Sequence, residues 1–341
     1  MMISLIKELS LTDGASGREE KVRRLIIKKL PKGVDFETDG MGNLIVHKKG
    51  EKRPKNKVML CAHMDEVALI ITYVCDDGLL KFDAVGGIDP AVLIGRTVRL
   101  EDGTVGVIAL KHIHLCEKDE KNKIPKLSEL FIDVGFSSKE ETQRHVLPGD
   151  IAYFNSDFVE FGTGNSRIKA KALDDRVGCA FMIKLINSDL PYDIDFAFTV
   201  QEEIGARGAL TATYALDPDI AVILEATTAG DICGVEKEKR ACLLGEGPVI
   251  SYMDRGTVYD YNLYRRAMKI AEESSITAQT KTLVAGGNDS QAVQRVGDGV
   301  RVMAVSVPCR YLHSPVCVIE KKDLEMTEKL LFKLVGELPN D

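Results

Sequence analysis

The sequence contains no tryptophan, and only 6% of its 341 residues are aromatic. Proteins that bind sugar rings usually offer large aromatic surfaces, so this composition argues against a glycosidase. No stretch approaches the ~20 consecutive apolar residues of a membrane-spanning helix. The N-terminus lacks the apolar core and the small-residue cleavage site of a signal peptide. We therefore expect a soluble protein with no membrane partner.

An excess of positive charge is also absent, because the formal net charge is −7. Nucleic-acid binding needs clustered Lys and Arg, and the one basic run, residues 48–55, is predicted to be a solvated loop. No Cys-x-x-Cys pair occurs among the 8 scattered cysteines, several of which stand in apolar runs. Such cysteines are usually buried thiols of a reducing compartment, so the sequence predicts a cytoplasmic protein. The charge predicts that it has no nucleic-acid partner.

What the chain does contain is a change of pattern along its length. Residues 16–19 have the Ser-x-x-Glu form of a capping box ahead of a helix, and residues 58–62 form an apolar run typical of a buried strand. From about residue 70 to 161, short β-rich runs alternate with turns. After residue 171, strands and helices alternate again, ending in a helix over 320–338.

These patterns predict an α/β fold. We expect a mixed central sheet with helices on both faces, split by a small inserted β-barrel or β-sandwich. Residues 1–69 and 163–341 are predicted to form the α/β domain, and residues 70–162 the inserted domain.

Histidine and acidic residues cluster at the ends or edges of the predicted strands. The clusters occupy residues 63–66, 201–203, 224–225 and 311–315. Because ligands of open α/β sheets gather at the carboxyl ends of strands, we expect these clusters to converge. The ligand class that they would share is a metal ion.

Two acidic pairs have an ordinary alternative to metal binding. Asp174 and Asp175 open a predicted helix, where an aspartate is often only an N-cap. Glu202 and Glu203 follow an apolar strand, and two neighbouring carboxylates repel each other unless a cation or a proton holds them. A surface loop with two glutamates is the alternative there.

The histidines differ in their surroundings. His47 and His145 stand among polar residues and are predicted to be exposed. His112 and His114 are predicted to share one face of a strand, a possible metal site that lacks nearby carboxylates. His63 and His313 are therefore the better candidates.

Two imidazoles and three carboxylates suit a pair of Zn²⁺ or Co²⁺ ions that share one carboxylate. Two such ions ~3.5–4 Å apart would polarise a scissile carbonyl and activate a water molecule. A further carboxylate would carry the proton. The sequence thus predicts a hydrolase with two divalent metal ions per chain.

Five motifs, in order along nearly the whole chain, resemble those of the tetrahedral (TET) aminopeptidases, which include deblocking and glutamyl aminopeptidases and proteins labelled cellulase M. They lie at residues 62–66, 172–178, 201–209, 286–290 and 310–315. The resemblance implies a metal-dependent aminopeptidase that removes N-terminal residues from short peptides. It also implies self-association through the β insertion, from dimers to a twelve-subunit tetrahedral shell.

The resemblance assigns roles to single residues. It implies one metal on His63, Asp174 and Glu225. It implies a second metal on Glu203, His313 and the bridging Asp174. Glu202 matches the general base, Asp65 the carboxylate that orients His63, and Asp175 a supporting residue.

The chain departs from the family pattern at a few positions. Glu225 stands where many relatives have Asp, residues 230–234 where they often have Thr-Pro, and Asn288 where Thr is frequent. Glu225 is one methylene longer than Asp and can still bind a metal, so the metal pair is expected to survive, with a spacing that the sequence leaves open. The alternatives are a dinuclear carboxypeptidase or deacylase, an endoglucanase, and a scaffold with a vestigial site.

Overall fold

The computed structural model describes residues 2–115 and 123–340. The helices of this part are α1 Met2–Leu11, α2 Glu20–Lys29, α3 Lys139–Thr142, α4 Leu173–Ile186, α5 Arg207–Leu216, α6 Tyr261–Glu273, α7 Ser290–Val293 and α8 Lys321–Glu337. The strands are β1 Asp35–Thr38, β2 Leu44–Lys48, β3 Val58–His63, β4 Ala68–Val74, β5 Leu80–Val85, β6 Thr97–Leu100, β7 Val105–Leu110, β8 Leu130–Asp133, β9 Ile151–Phe154, β10 Val159–Phe161, β11 Arg167–Ala170, β12 Ile194–Thr199, β13 Ile220–Thr228, β14 Val249–Ile250, β15 Gln279–Thr280, β16 Arg301–Cys309 and β17 Cys317–Glu320.

A mixed sheet of eight strands forms the centre of the protein, in the order β1-β2-β12-β3-β13-β16-β14-β15. Its four inner strands, β12, β3, β13 and β16, run parallel to one another. Every residue of β3 is buried, as expected for a strand covered on both faces. The predicted α/β fold with a mixed central sheet is confirmed.

Alternate side chains of β3 supply the two cores of the sheet. Val58, Leu60 and Ala62 pack with side chains of α1, α2, α4, α6 and α8 on one face. Met59 and Cys61 pack with small side chains of α5 and α7 on the other face. The period of two along the strand therefore gives each face its own layer of helices, as predicted.

The inserted β-rich segment forms a closed barrel with the strand order β4-β5-β8-β7-β6-β9. Its interior is mostly aliphatic and includes the buried Leu69, Ile71, Val98, Ile108 and Ile132. Closure pairs the edge strands, which in an open sheet would expose unpaired backbone groups. Of the two alternatives left open by the sequence, the barrel is the one that forms. A smaller antiparallel sheet, β10-β11-β17, follows it.

The predicted capping box is wrong. Helix α2 begins at Glu20, and the preceding Glu19 makes no side-chain capping bond. The Ser16 hydroxyl instead donates to Asp65 Oδ2 at 2.5 Å. A carboxylate brought close by the fold thus takes the hydroxyl that the local pattern assigned to the helix.

The predicted strand position of His112 and His114 is also wrong, because β7 ends at Leu110 and His114 lies in a single 3₁₀ turn, Ile113–Leu115. The cysteines of the described part are free thiols, and the buried ones are Cys61, Cys179, Cys242, Cys309 and Cys317. Cys116 lies outside the described residues. In the ranges 2–115 and 123–340, no helix combines the length and apolarity needed to cross a bilayer.

Candidate metal centre

The carboxyl ends of the four inner strands carry most of the candidate ligands. His63 is the last residue of β3, and Glu225 lies inside β13, which extends three residues beyond it. Glu203 follows β12 and His313 follows β16, while Asp174 lies in the first turn of α4. Parallel strands end at one edge of a sheet, so residues far apart in sequence meet there.

The structure brings five of these residues into two groups that share Asp174. His63, Asp174 and Glu225 form one group, and Asp174, Glu203 and His313 form the other. In each group the ligand atoms lie within 4.8 Å of one another. Asp174 Oδ1 is 3.4 Å from His63 Nε2, and Asp174 Oδ2 is 3.5 Å from His313 Nε2. The two oxygens of one carboxylate thus face two different histidines.

Backbone carbonyls determine which nitrogen of each histidine carries the proton. His63 Nδ1 lies 3.1 Å from the carbonyl oxygen of Asp65, and His313 Nδ1 lies 2.8 Å from that of Gly87. A carbonyl oxygen only accepts, so Nδ1 is the donor in both rings. Each Nε2 is then left facing carboxylate oxygens, and in a neutral ring it presents a lone pair to them. Only a proton or a cation makes that arrangement favourable.

The carboxylates of the cluster show the same excess of negative charge. Burial, reinforced by the charge of Asp174, raises the pKa of Glu225 well above its usual value. Burial also raises the pKa of Glu203 to about 7, although nearby His313 opposes the shift. Burial alone would raise the pKa of Asp174, but the nearby imidazoles of His313 and His63 hold it well below the usual range.

The histidines respond in the opposite direction. Burial opposes the charged form of His313, yet Asp174 and Glu203 raise its pKa to about 10. Burial likewise opposes the charged form of His63, whose pKa is nonetheless raised well above normal by Asp174 and Asp65. The metal-free cluster therefore holds protons where cations would otherwise compensate the carboxylates.

Within the two ligand groups, one buried carboxylate oxygen has no hydrogen-bond partner. It is Asp174 Oδ1, the oxygen nearest His63 Nε2. Buried polar atoms are nearly always satisfied, so an unpartnered carboxylate oxygen facing an imidazole nitrogen fits a metal ligand. The donor set of imidazole nitrogen and carboxylate oxygen suits Zn²⁺ and Co²⁺. The residues present thus fit a pair of divalent ions.

Asp65 connects the end of β3 to the turn that carries the two glutamates. Its side chain lies 3.4 Å from His63 Nδ1 and is fully buried. It also accepts the backbone N–H groups of Glu202 at 3.0 Å and Glu203 at 3.1 Å. Together with the bond from the Ser16 hydroxyl, these contacts hold His63 and the glutamate turn in one fixed arrangement.

Glu202 belongs to neither ligand group and points into a cavity of about 680 Å³ beside them. The cavity is also lined by Asp174, Glu203, Glu225 and His313. Burial raises the pKa of Glu202 well above normal, with the charges of Asp289 and Glu203 adding to the shift against that of His63. A carboxylate in this position has access both to the ligand groups and to the space for a substrate.

The structure also adds residues that sequence reasoning missed. The carbonyl of Gly87, just after β5 of the barrel, fixes the tautomer of His313, and a backbone acceptor has no signature in sequence. Asp289 accepts from Thr199 Oγ1 at 2.6 Å beneath the cluster. Its place in the motif at residues 286–290 was the available signal for it.

The inner parallel strands of this α/β protein thus end in two histidines and several buried carboxylates, beside a cavity that His313 and four of the carboxylates line. This is the architecture of a hydrolase with a candidate two-metal centre. The model of the M42 glutamyl aminopeptidase family matches residues 42–330. The chain therefore belongs to this family of peptide hydrolases, as the resemblance to TET aminopeptidases predicts.

Known aminopeptidases match this chain along nearly its full length. The lysyl aminopeptidase of Pyrococcus furiosus is 32% identical, with 98% of this chain and 96% of the relative covered. An aminopeptidase from the archaeon Desulfurococcus kamchatkensis has a similar structure, with a TM-score of 0.92, 36% identity and coverage of 98% of this chain and 94% of that one. The TET1 peptidase of Pyrococcus horikoshii, described as able to assemble into a tetrahedron or a large octahedral shell, has a TM-score of 0.85 at 34% identity, covering 99% of this chain and 100% of that one.

Proposed function

We propose that this protein is an aminopeptidase that binds two divalent metal ions, Zn²⁺ or Co²⁺, and releases N-terminal residues from short peptides. The observation that carries the proposal is the position of Asp174, whose two oxygens lie 3.4 and 3.5 Å from the Nε2 atoms of His63 and His313. One ion would be held by His63, Asp174 and Glu225, and the other by Asp174, Glu203 and His313. Family membership supports the choice of peptide N-termini.

The residues of the site divide the work of peptide hydrolysis. Bound metal ions would supply Lewis acidity toward the scissile carbonyl and a water molecule of lowered pKa. Glu202 would take a proton from the attacking water as the water oxygen adds to the carbonyl carbon, and would deliver that proton to the amine as the C–N bond breaks. Asp65 holds the turn that carries Glu202 through its bond to the Glu202 N–H group.

Removal of the metals is expected to abolish activity. Without cations, the site holds its carboxylates and imidazoles in a proton-compensated state that cannot activate water. Dialysis against a strong chelator, followed by addition of Zn²⁺, Co²⁺ or Mn²⁺ and an assay on aminoacyl-anilides, measures this. Return of activity with at least one of the ions is expected. Undiminished hydrolysis by protein shown to be metal-free would contradict the proposal.

The charges of the cavity wall favour an acidic N-terminal residue. Apart from the proposed metal-binding residues and Glu202, the charged side chains that line the cavity are Lys239, Arg255 and Lys281. Lys281 Nζ donates to the carbonyl of Ala285 at 2.8 Å. A glutamate or aspartate side chain of the substrate would add a charged hydrogen bond there, which contributes about 1.5–3 kcal/mol.

Exchange of Lys281 for glutamate is therefore expected to lower kcat/KM for a glutamyl substrate by about tenfold or more and to raise it for a lysyl substrate. A panel of glutamyl-, leucyl- and lysyl-anilides measures both changes. Lys237→Glu is the matched control, since Lys237 is an exposed lysine that does not line the cavity. A wild-type preference for lysyl over glutamyl substrates would contradict the interpretation.

The requirement for a free N-terminus separates an aminopeptidase from the alternative hydrolases. A carboxypeptidase or deacylase of the same fold would cleave N-acetylated peptides, whereas an aminopeptidase requires the free amine.

We also propose that residues 1–69 and 163–341 form the catalytic domain and that the inserted domain, 70–162, serves in assembly from dimers to a tetrahedral dodecamer. The shell described for the TET1 relative supports this assembly. Light scattering measures the mass of the particle, and a dodecamer has twelve times the mass of the 37.5 kDa chain.

A further inference from the structure

A buried ion pair lies next to the candidate metal centre and takes no part in the proposed reaction. Lys171 Nζ is 2.7 Å from both carboxylate oxygens of Glu66. Each residue is only 2% exposed. Glu66 lies three residues after His63, and Lys171 lies three residues before Asp174. The pair therefore joins the two chain segments whose side chains form the contact between His63 and Asp174.

Arg176 makes a second connection between the same two segments. It is completely buried, and its Nε donates to the carbonyl of Met64 at 2.9 Å. Its Nη2 lies 3.5 Å from Glu66 Oε1. Cations placed just before and just after Asp174 thus both bind the segment that begins with His63.

The ion pair is also anchored from outside these segments. Glu66 Oε1 accepts the N–H of Gly14 at 3.1 Å, and Lys171 Nζ lies 3.2 Å from Asp13 Oδ1. Asp13 in turn accepts from Arg99 of the barrel strand β6 at 2.7 Å. Asp13, Glu66, Lys171 and Arg99 each have a partner of opposite charge, so neither Lys171 nor Glu66 is free to move.

A purely structural role is the alternative. Buried ion pairs contribute little net stability, because desolvation of both charges offsets their attraction, although removal of one partner is strongly destabilising. Stability alone therefore gives little reason for this pair. One residue of the pair belongs to the segment of His63 and the other to the segment of Asp174. This gives the pair a specific use, since the residues that contact metal ligands determine the orientation of those ligands.

We propose that the Lys171–Glu66 ion pair is a positioning device that fixes His63 against Asp174 and thereby sets the affinity of the His63, Asp174 and Glu225 group for its metal ion. The inference rests on the proposed function, because it concerns one of the two proposed metal sites. It predicts that loss of the ion pair lowers the affinity for one metal ion more than the affinity for the other.

The test is Co²⁺ binding to purified Lys171→Met protein, measured by competition with a chromophoric chelator and by the visible absorption of bound Co²⁺. We expect one of two Co²⁺ ions to bind about 10–100-fold more weakly, with an altered absorption spectrum. At saturating metal, we expect a lower kcat with little change in KM. Circular dichroism at the assay temperature verifies that the variant is folded.

Lys184→Met is the matched control. Lys184 lies on the same helix, α4, and also pairs with a glutamate, Glu328, but away from the ligand groups. It should leave both Co²⁺ affinities and the spectrum unchanged. Equal losses in the two variants would overturn the proposal.

If Lys171→Met does not fold, Glu66→Gln decides the question, because the amide keeps one acceptor oxygen and loses the charge and the second acceptor. Weaker binding of one Co²⁺ ion supports the positioning role. Wild-type affinities in a folded Lys171→Met or, failing that, in Glu66→Gln overturn it. Failure of the proposed function is distinguishable, since the wild-type protein itself would then bind no pair of Co²⁺ ions.

Discussion

Replacing Glu202 by glutamine is expected to lower kcat by about 10²–10⁴-fold while both metal ions stay bound. Glu202 belongs to neither ligand group, so its carboxylate is not needed to hold a metal. Glutamine keeps the size of the side chain but cannot accept the proton from water. The measurement pairs kcat on the preferred anilide with the metal content of the purified variant.

Glu203→Gln is the matched comparison for this prediction. Glu203 is the neighbouring residue, yet its Oε2 lies 3.4 Å from His313 Nε2 within the second group. Its replacement should reduce metal content as well as activity. Near-normal turnover in Glu202→Gln would eliminate the proposed general base, and loss of metal in that variant would place Glu202 among the ligands.

Much of the fold follows from local pattern. The apolar run at 58–62 predicts a strand buried on both faces, and β3 is that strand. Period-two alternation there also separates the two cores that the helices cover. The β-rich segment predicts a barrel or a sandwich, and the choice between them depends on whether β4 and β9 pair, which no local pattern encodes.

Two local predictions, at Ser16 and at His112, are wrong. Ser16 has the spacing of a helix cap, but its hydroxyl binds Asp65, 49 residues away. The run around His112 has strand character, but β7 ends before it at Leu110. Local propensity is a weak prior: a tertiary contact overrides it at Ser16, whereas at His112 the chain turns and the N–H of His114 donates to His112 Nδ1 at 3.4 Å.

The candidate site divides in the same way. Side-chain chemistry alone singles out His63, His313 and the glutamate pair, because imidazoles and adjacent carboxylates are conspicuous at strand ends. The Gly87 carbonyl and the Lys171–Glu66 pair are invisible in sequence, since the first is a backbone atom and the second joins residues 105 positions apart. Candidate ligands are thus easier to predict from sequence than the residues that contact them in the fold.

Replacing Asp174 by alanine is expected to remove both metal ions and to lower kcat/KM by about 10³-fold or more. Asp174 is the one residue common to the two groups, and each of its oxygens faces a different histidine. The Lewis acidity of bound metal contributes several kcal/mol to such reactions, and each 1.36 kcal/mol is a factor of ten in rate. Metal per chain, measured by mass spectrometry of the purified variant, should fall from two toward zero.

Three further variants make this prediction specific to a bridge. Glu225→Ala removes a ligand of the His63 group alone, and Glu203→Ala removes one of the His313 group alone, so each should retain about one ion per chain. Asp175→Asn changes the adjacent buried carboxylate, which belongs to neither group, and should retain two. If Asp174→Ala also retains one ion, Asp174 binds a single metal and the two groups do not share a ligand. If Asp174 bridges the two ions, its loss removes both of them. Loss of Glu225 or of Glu203 then removes only the ion that the lost glutamate binds.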